Sequence, residues 1–146
     1  MFESEITTIL NQVSPYFKGV FPCDRVPTFN RNGKFCLVLN TASSKTSGEH
    51  WVLFQKPTSD PIVYYIDSLA KPVEKYGVCF KKAFSKLTKT FTVKKLTEPL
   101  QSDSSSLCGV YCIFFAVNLA RNMSINTIKK QFSINQILND KKLCLW

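Results

Sequence analysis

Histidine is nearly absent from this 146-residue sequence, occurring once, at His50. Chemistry that needs two imidazoles, a His-rich metal site foremost, is thereby excluded. Glycine (five) and proline (seven) are too sparse for a fibrous or low-complexity chain. Long apolar runs are missing as well. The longest, Val110 to Val117, falls far short of the roughly 20 residues that cross a bilayer, so no membrane partner is expected. The segment Met1-Phe2-Glu3-Ser4-Glu5 lacks the basic start and apolar stretch of a signal peptide, which predicts a chain that is not secreted. Among Cys23, Cys36, Cys79, Cys108, Cys112 and Cys144 there is no C-x-x-C pair, so no metal site is expected. Without an export signal these six are expected as thiols rather than disulfides.

Hydrophobic residues make up 45% and charged residues 20%, the balance of one globular domain over residues 1–146. Nineteen Lys and Arg against ten Asp and Glu leave +9, which favours anionic partners. Between residues 71 and 95 eight lysines face one acid, Glu74, so this segment holds seven of the nine net charges. At about 100° per residue, Lys71, Lys75, Lys82, Lys86 and Lys89 share one helical stripe. Such a stripe is either a solvated face or a surface for DNA phosphates.

Apolar spacing predicts a leading helix over Ser4–Val13, N-capped by Ser4, then irregular chain from Pro15 to Gly33. Phe35–Leu39, Trp51–Phe54 and Ile62–Ile66 read as buried strands, the last two joined by a hairpin over Pro57–Pro61. From Pro72, the positions Val73, Tyr76, Phe80, Phe84 and Leu87 step by three or four, as in one amphipathic helix. Phe91 and Val93 alternate with polar residues as in a fourth strand. Leu107–Asn122 is apolar nearly all round and predicts a buried helix, capped by Ser104, Ser105 or Ser106. Two short helices are expected, one after Ser124 with Ile125, Ile128 and Phe132 on its apolar face, the other after Ser133 with Ile134, Ile137 and Leu138.

Cys108 falls in the first turn of that buried helix, where free N–H groups and the dipole favour a thiolate. Gly109 leaves room beside it for a substrate backbone. A buried packing cysteine is the plainer alternative. His50, entering a strand, is the one imidazole available to pair with it, and Asp67 ends the neighbouring strand. Antiparallel pairing brings these two to the same sheet edge, where the carboxylate orients the imidazole. Gln101, in the polar stretch that leads into the helix, supplies an amide donor for an oxyanion.

The order His, Asp, Gln, Cys is carried by Gly48-Glu49-His50-Trp51, Ile66-Asp67-Ser68, Gln101-Ser102 and Cys108-Gly109-Val110-Tyr111-Cys112. Together with Tyr16–Phe21 and Leu39–Ala42, it resembles the adenain-like cysteine endopeptidases of the adenovirus type and their Polinton and virophage relatives, over residues 16–122. The resemblance implies an α+β fold of papain-like geometry: a central, mainly antiparallel sheet packed by a buried helix that carries the nucleophile at its N-terminus. It implies Cys108 as nucleophile, His50 as base and then acid, Asp67 as its orienter and Gln101 as oxyanion donor. Trp51 would shield the imidazole, and Gly48 and Glu49 would lie along the substrate strand.

The implied reaction is peptide hydrolysis in viral capsid and core precursors during virion maturation, in the virion and at the host-cell site of assembly, nucleus or cytoplasmic factory. No cofactor is required for the chemistry. Activation by DNA and by a noncovalent viral peptide fits the resemblance, whereas a disulfide-linked activator does not, because residues 80–101 hold no Cys. The chain is expected to act as a monomer and to lack part of the adenovirus enzymes' C-terminal region. Two alternatives stay open: a ubiquitin-like-modifier protease, and a catalytically silent DNA- or capsid-binding protein of the same fold.

Overall fold

Three runs of β-branched and aromatic residues build the middle of the molecule. The computed structural model describes residues 1–146 and places β2 at Phe35–Asn40, β3 at Trp51–Lys56 and β4 at Ile62–Ile66. Both pairings among them are antiparallel, with Leu39 opposite Val52 and Leu53 opposite Ile66. Every residue of β2 is buried, as expected of a strand covered on both faces. Its side chains alternate: Cys36 and Val38 enter one core, Phe35, Leu37 and Leu39 the other.

Helix α3 (Cys108–Ala120) fills the first core together with α1 (Glu3–Val13). Helix α2 (Val78–Thr88) covers the opposite face through Phe80, Ala83 and Leu87. Each fully buried Leu or Phe contributes about 1.5–3 kcal/mol, so the two layers hold the sheet in place between them. The fold is α+β. Its sheet runs β1-β2-β3-β4-β5 in chain order and is mixed, because the outer strands, β1 (Phe17–Pro22) and β5 (Thr92–Lys95), pair in parallel with β2 and β4.

Several sequence expectations are corrected. Strand β1 lies within the stretch expected to be irregular; its register slips between Phe17 and Gly19, where Gly19 takes φ 131°. The single helix expected from Pro72 is two pieces, a 3-10 turn over Val73–Tyr76 and then α2, separated by Gly77 at φ 94°. Helix α1 is capped by Phe2 rather than Ser4, and the Glu5 carboxylate accepts the Phe2 N–H at 2.6 Å. Leu107, not a serine, caps α3. Helix α4 (Ile125–Lys129) starts at Ser124 as expected, but α5 (Gln136–Cys144) is capped by Asn135 and turns Asn139 and Leu143 inward. Cys23 and Cys79 are joined as a disulfide, against the expectation of six thiols.

Candidate active site

The open end of the β3/β4 hairpin brings His50 and Asp67 together, their Nε2 and Oδ1 2.7 Å apart. His50 is only 7% exposed, and its carbonyl accepts the Thr41 N–H at 2.9 Å, which anchors the residue ahead of β3. Asp67 is saturated. Its Oδ1 also accepts the Leu69 N–H (3.0 Å), while Oδ2 accepts the Lys71 N–H (3.2 Å) and the Tyr76 phenol (2.5 Å). Burial works against its charge, but His50, Tyr76 and the Leu69 amide prevail and hold it below the ordinary carboxylate value.

Cys108 begins α3 beside His50, and each moves the other's ionisation. With Nε2 engaged by Asp67, Nδ1 is the ring nitrogen left for sulfur. Burial raises the thiol, yet His50 and the backbone at Trp51 and Gly109 outweigh it and lower Cys108 below an ordinary cysteine. Burial likewise opposes the imidazolium, and Asp67 and Cys108 overcome that to bring His50 up to about 9. The two shifts point the same way, each favouring the charged form of a thiolate–imidazolium pair.

Gln101 is 2% exposed and is seated beside this pair. The Ser68 carbonyl accepts both the Leu100 N–H (2.9 Å) and the Gln101 N–H (3.1 Å). In the side chain, Nε2 donates to the Ser105 carbonyl at 2.9 Å, and Oε1 accepts the Ser68 hydroxyl at 2.5 Å. A carbonyl can only accept, so the amide orientation is fixed and one N–H of Nε2 remains free. Cys108, His50 and Gln101 line one cleft of about 600 Å³. A thiol, an imidazole backed by a carboxylate and an amide with a free N–H on one cleft are the groups that an acyl-transfer site requires.

A model of the adenovirus endoprotease family matches residues 17–143. The chain belongs to that family. Its relatives include the protease of human adenovirus B serotype 3, 29% identical over 125 residues, with 77% of this chain and 59% of that protein covered. The protease of bovine adenovirus 4 is 30% identical over 128 residues and covers 77% and 62%. The chain thus spans about three-fifths of the length of these curated relatives. Among solved structures, the ASFV pS273R protease superposes with a TM-score of 0.57 at 18% identity, over 99% of this chain and 66% of that one, a likeness of fold.

Gly48, Glu49 and Trp51, expected to contact substrate, line this cleft. Gly109 does not line it. A Cβ there would stand 3.1 Å from Ile6 Cδ1 and from Met1 Sδ, so this glycine lets α1 approach α3. The lysine stripe is also broken, because Gly77 interrupts the helix that would carry it. Lys71 joins the cleft, 3.8 Å from Asp103. Lys82 and Lys86 line a separate groove beside Cys23 and Cys79, Lys75 stands in the 3-10 turn and Lys89 follows α2.

Sequence reasoning missed two residues of the cleft. Tyr76, counted with the apolar face, stacks on the His50 ring with centroids 5.7 Å apart while bonding Asp67. Buried Asn40 accepts the Ala42 and Glu49 N–H groups at 2.7 and 3.2 Å and so shapes the loop that presents Gly48 and Glu49. Their signals were faint: a hydroxyl on an otherwise apolar stripe, and one amide ending an apolar strand. No three or more His, Cys, Asp or Glu side chains come together as a metal site.

Proposed function

We propose that this chain is a cysteine endopeptidase that cleaves viral capsid and core precursors during virion maturation. The observation that carries the reading is the meeting of Cys108, His50 and Gln101 on one cleft, with Asp67 bonded to the imidazole at 2.7 Å and the Cys108 and His50 shifts agreeing with it. The Cys108 thiolate attacks the scissile carbonyl, and its π pair moves to oxygen, where the free N–H of Gln101 and the Cys108 amide receive it. Collapse breaks the C–N bond as His50 gives its proton to the leaving amine. Neutral His50 then takes a proton from water, hydroxide adds to the thioester, and collapse releases the acid and the thiolate. Asp67 keeps the ring oriented throughout, Trp51 borders it, and Gly48 and Glu49 run along the substrate strand.

Alkylation with iodoacetamide, mapped across pH, tests the reading. Cys108 should label first, well below pH 8, and lose that preference in His50→Ala; first labelling at Cys112, whose thiol burial raises, would sink it. Precursor peptides and modifier conjugates offered side by side identify the substrate class. The proposal extends to a monomer acting in the virion and at the site of assembly, helped by DNA and by a noncovalent viral peptide. With Lys82 and Lys86 on one groove and Lys89 beyond them, three phosphate contacts give a log–log salt slope of roughly −3. Binding to duplex DNA that ignores salt, or that survives changing these lysines to Gln, refutes the DNA part.

A further inference from the structure

Helix α5 has no part in the reaction described so far, yet two of its side chains reach the segment that carries Gln101. Asn139 is 2% exposed. Its Nδ2 donates to the carbonyls of Leu100 (3.0 Å) and Ser133 (2.8 Å), and its Oδ1 accepts the Ser133 N–H at 2.8 Å. Asp140 accepts the Tyr111 phenol on Oδ1 (2.8 Å), and on Oδ2 the Ser102 hydroxyl (2.6 Å) and the Ser102 N–H (3.3 Å). Leu100 and Ser102 are the two chain neighbours of Gln101, so α5 grips the backbone on both sides of that residue.

Tyr111 connects this grip to the nucleophile. It stands in α3 within a turn of Cys108, with its ring fully buried. Burial and the Asp140 carboxylate push its phenol far above the ordinary tyrosine value, so it keeps the proton that it donates. One carboxylate therefore links the helix carrying Cys108 to the loop carrying Gln101. That loop needs an external hold, because Ser102–Ser106 is polar throughout and Asp103, Ser104 and Ser106 are exposed. Asp140 itself lines a different groove from the cleft.

We propose that Asp140, with Asn139 beside it, is a positioning residue for peptide hydrolysis: it sets the Gln101 amide against Cys108 and so determines the strength of the oxyanion site. This inference rests on the hydrolytic reading above. Asp140 touches no reacting atom, and its effect is confined to steps in which negative charge develops on oxygen. Thiolate alkylation is free of that requirement, since sulfur displaces iodide at a saturated carbon and no oxyanion forms.

The test compares the full chain with Asp140→Ala and Ser102→Ala in three measurements: peptide hydrolysis, inhibition by a peptide aldehyde, and the rate of Cys108 alkylation across pH. Removing an oxyanion donor outright costs ~10²–10³ in kcat, and displacing one should cost about 10-fold. In Asp140→Ala we expect that loss in kcat, KM within about two-fold, aldehyde affinity reduced in proportion, and an unchanged alkylation profile. Ser102→Ala, which removes one leg of the grip, should lose roughly three-fold in the same direction, and it keeps the test open if Asp140→Ala does not fold. Unchanged kcat and aldehyde affinity in both variants overturn the proposal. So does alkylation that falls in step with kcat, since α5 would then support the whole fold rather than the oxyanion site. A parent chain that neither hydrolyses peptides nor labels preferentially at Cys108 overturns the hydrolytic reading, and this inference with it.

Discussion

Asp67 accepts four hydrogen bonds, and its charge governs the protonation of His50. Burial alone would strip the imidazole of its proton; the carboxylate and the Cys108 thiolate bring it to about 9 instead. Hydrolysis should therefore follow a bell, rising as the depressed Cys108 thiol ionises and falling near pH 9. In Asp67→Asn the alkaline limb should move down by about one pH unit or more, each unit standing for ~1.4 kcal/mol; a limb left in place in a pH–rate profile would contradict this account. Stability follows the same sign. His50 is raised from 6.5, so its contribution is complete below about pH 6.5 and is lost as pH rises through about 9. Asp67 is depressed from 3.8, so its share is present above that value and disappears as pH falls through the lower, folded one.

At the scale of elements, Gly77 decides where α2 begins. A Cβ there would meet nothing within 4 Å, but the φ of 94° is one that side chains resist. Gly77→Ala should cost about 1–3 kcal/mol through backbone strain alone, read as a lower urea midpoint with an unchanged m-value. Strands β2, β3 and β4 and helix α3 were legible because apolar runs with turn residues on either side have few other ways to be buried. Strand β1 was not, since Gly19 and Pro22 signal a loop and only the neighbouring β2 makes them a strand. Helix α5 was misread in its inward face. Ile134 is 94% exposed while Asn139 is inside, because the carbonyls of Leu100 and Ser133 satisfy an amide that composition alone assigns to solvent. At the candidate site, His50, Asp67, Gln101 and Cys108 could be read as chemistry at the ends of elements. Asn40 and Tyr76 could not, since their partners are brought to them by tertiary contact.

Taken as a whole molecule, the chain is cross-linked once, from the end of β1 to the first turn of α2, across 56 residues. A closed loop of that length restricts the unfolded chain by about 4 kcal/mol in the chain-entropy account, with typical effects of about 2–4 kcal/mol. Unfolding in urea with and without a phosphine reductant should differ by that amount, and the double variant Cys23→Ala, Cys79→Ala should match the reduced protein. If reduction changes nothing, the bridge contributes no stability.

The sheet's chain-order arrangement also fixes a sequence in time. On the ribosome, the hairpin that joins His50 to Asp67 emerges well before α3 brings the sulfur, and α5 follows later still. At roughly 5–20 residues per second, a nascent chain carries the imidazole and the carboxylate for seconds before the sulfur of Cys108 is made. On the hydrolytic reading proposed above, it is unable to cut itself or its neighbours during synthesis until the helix bearing Cys108 has docked.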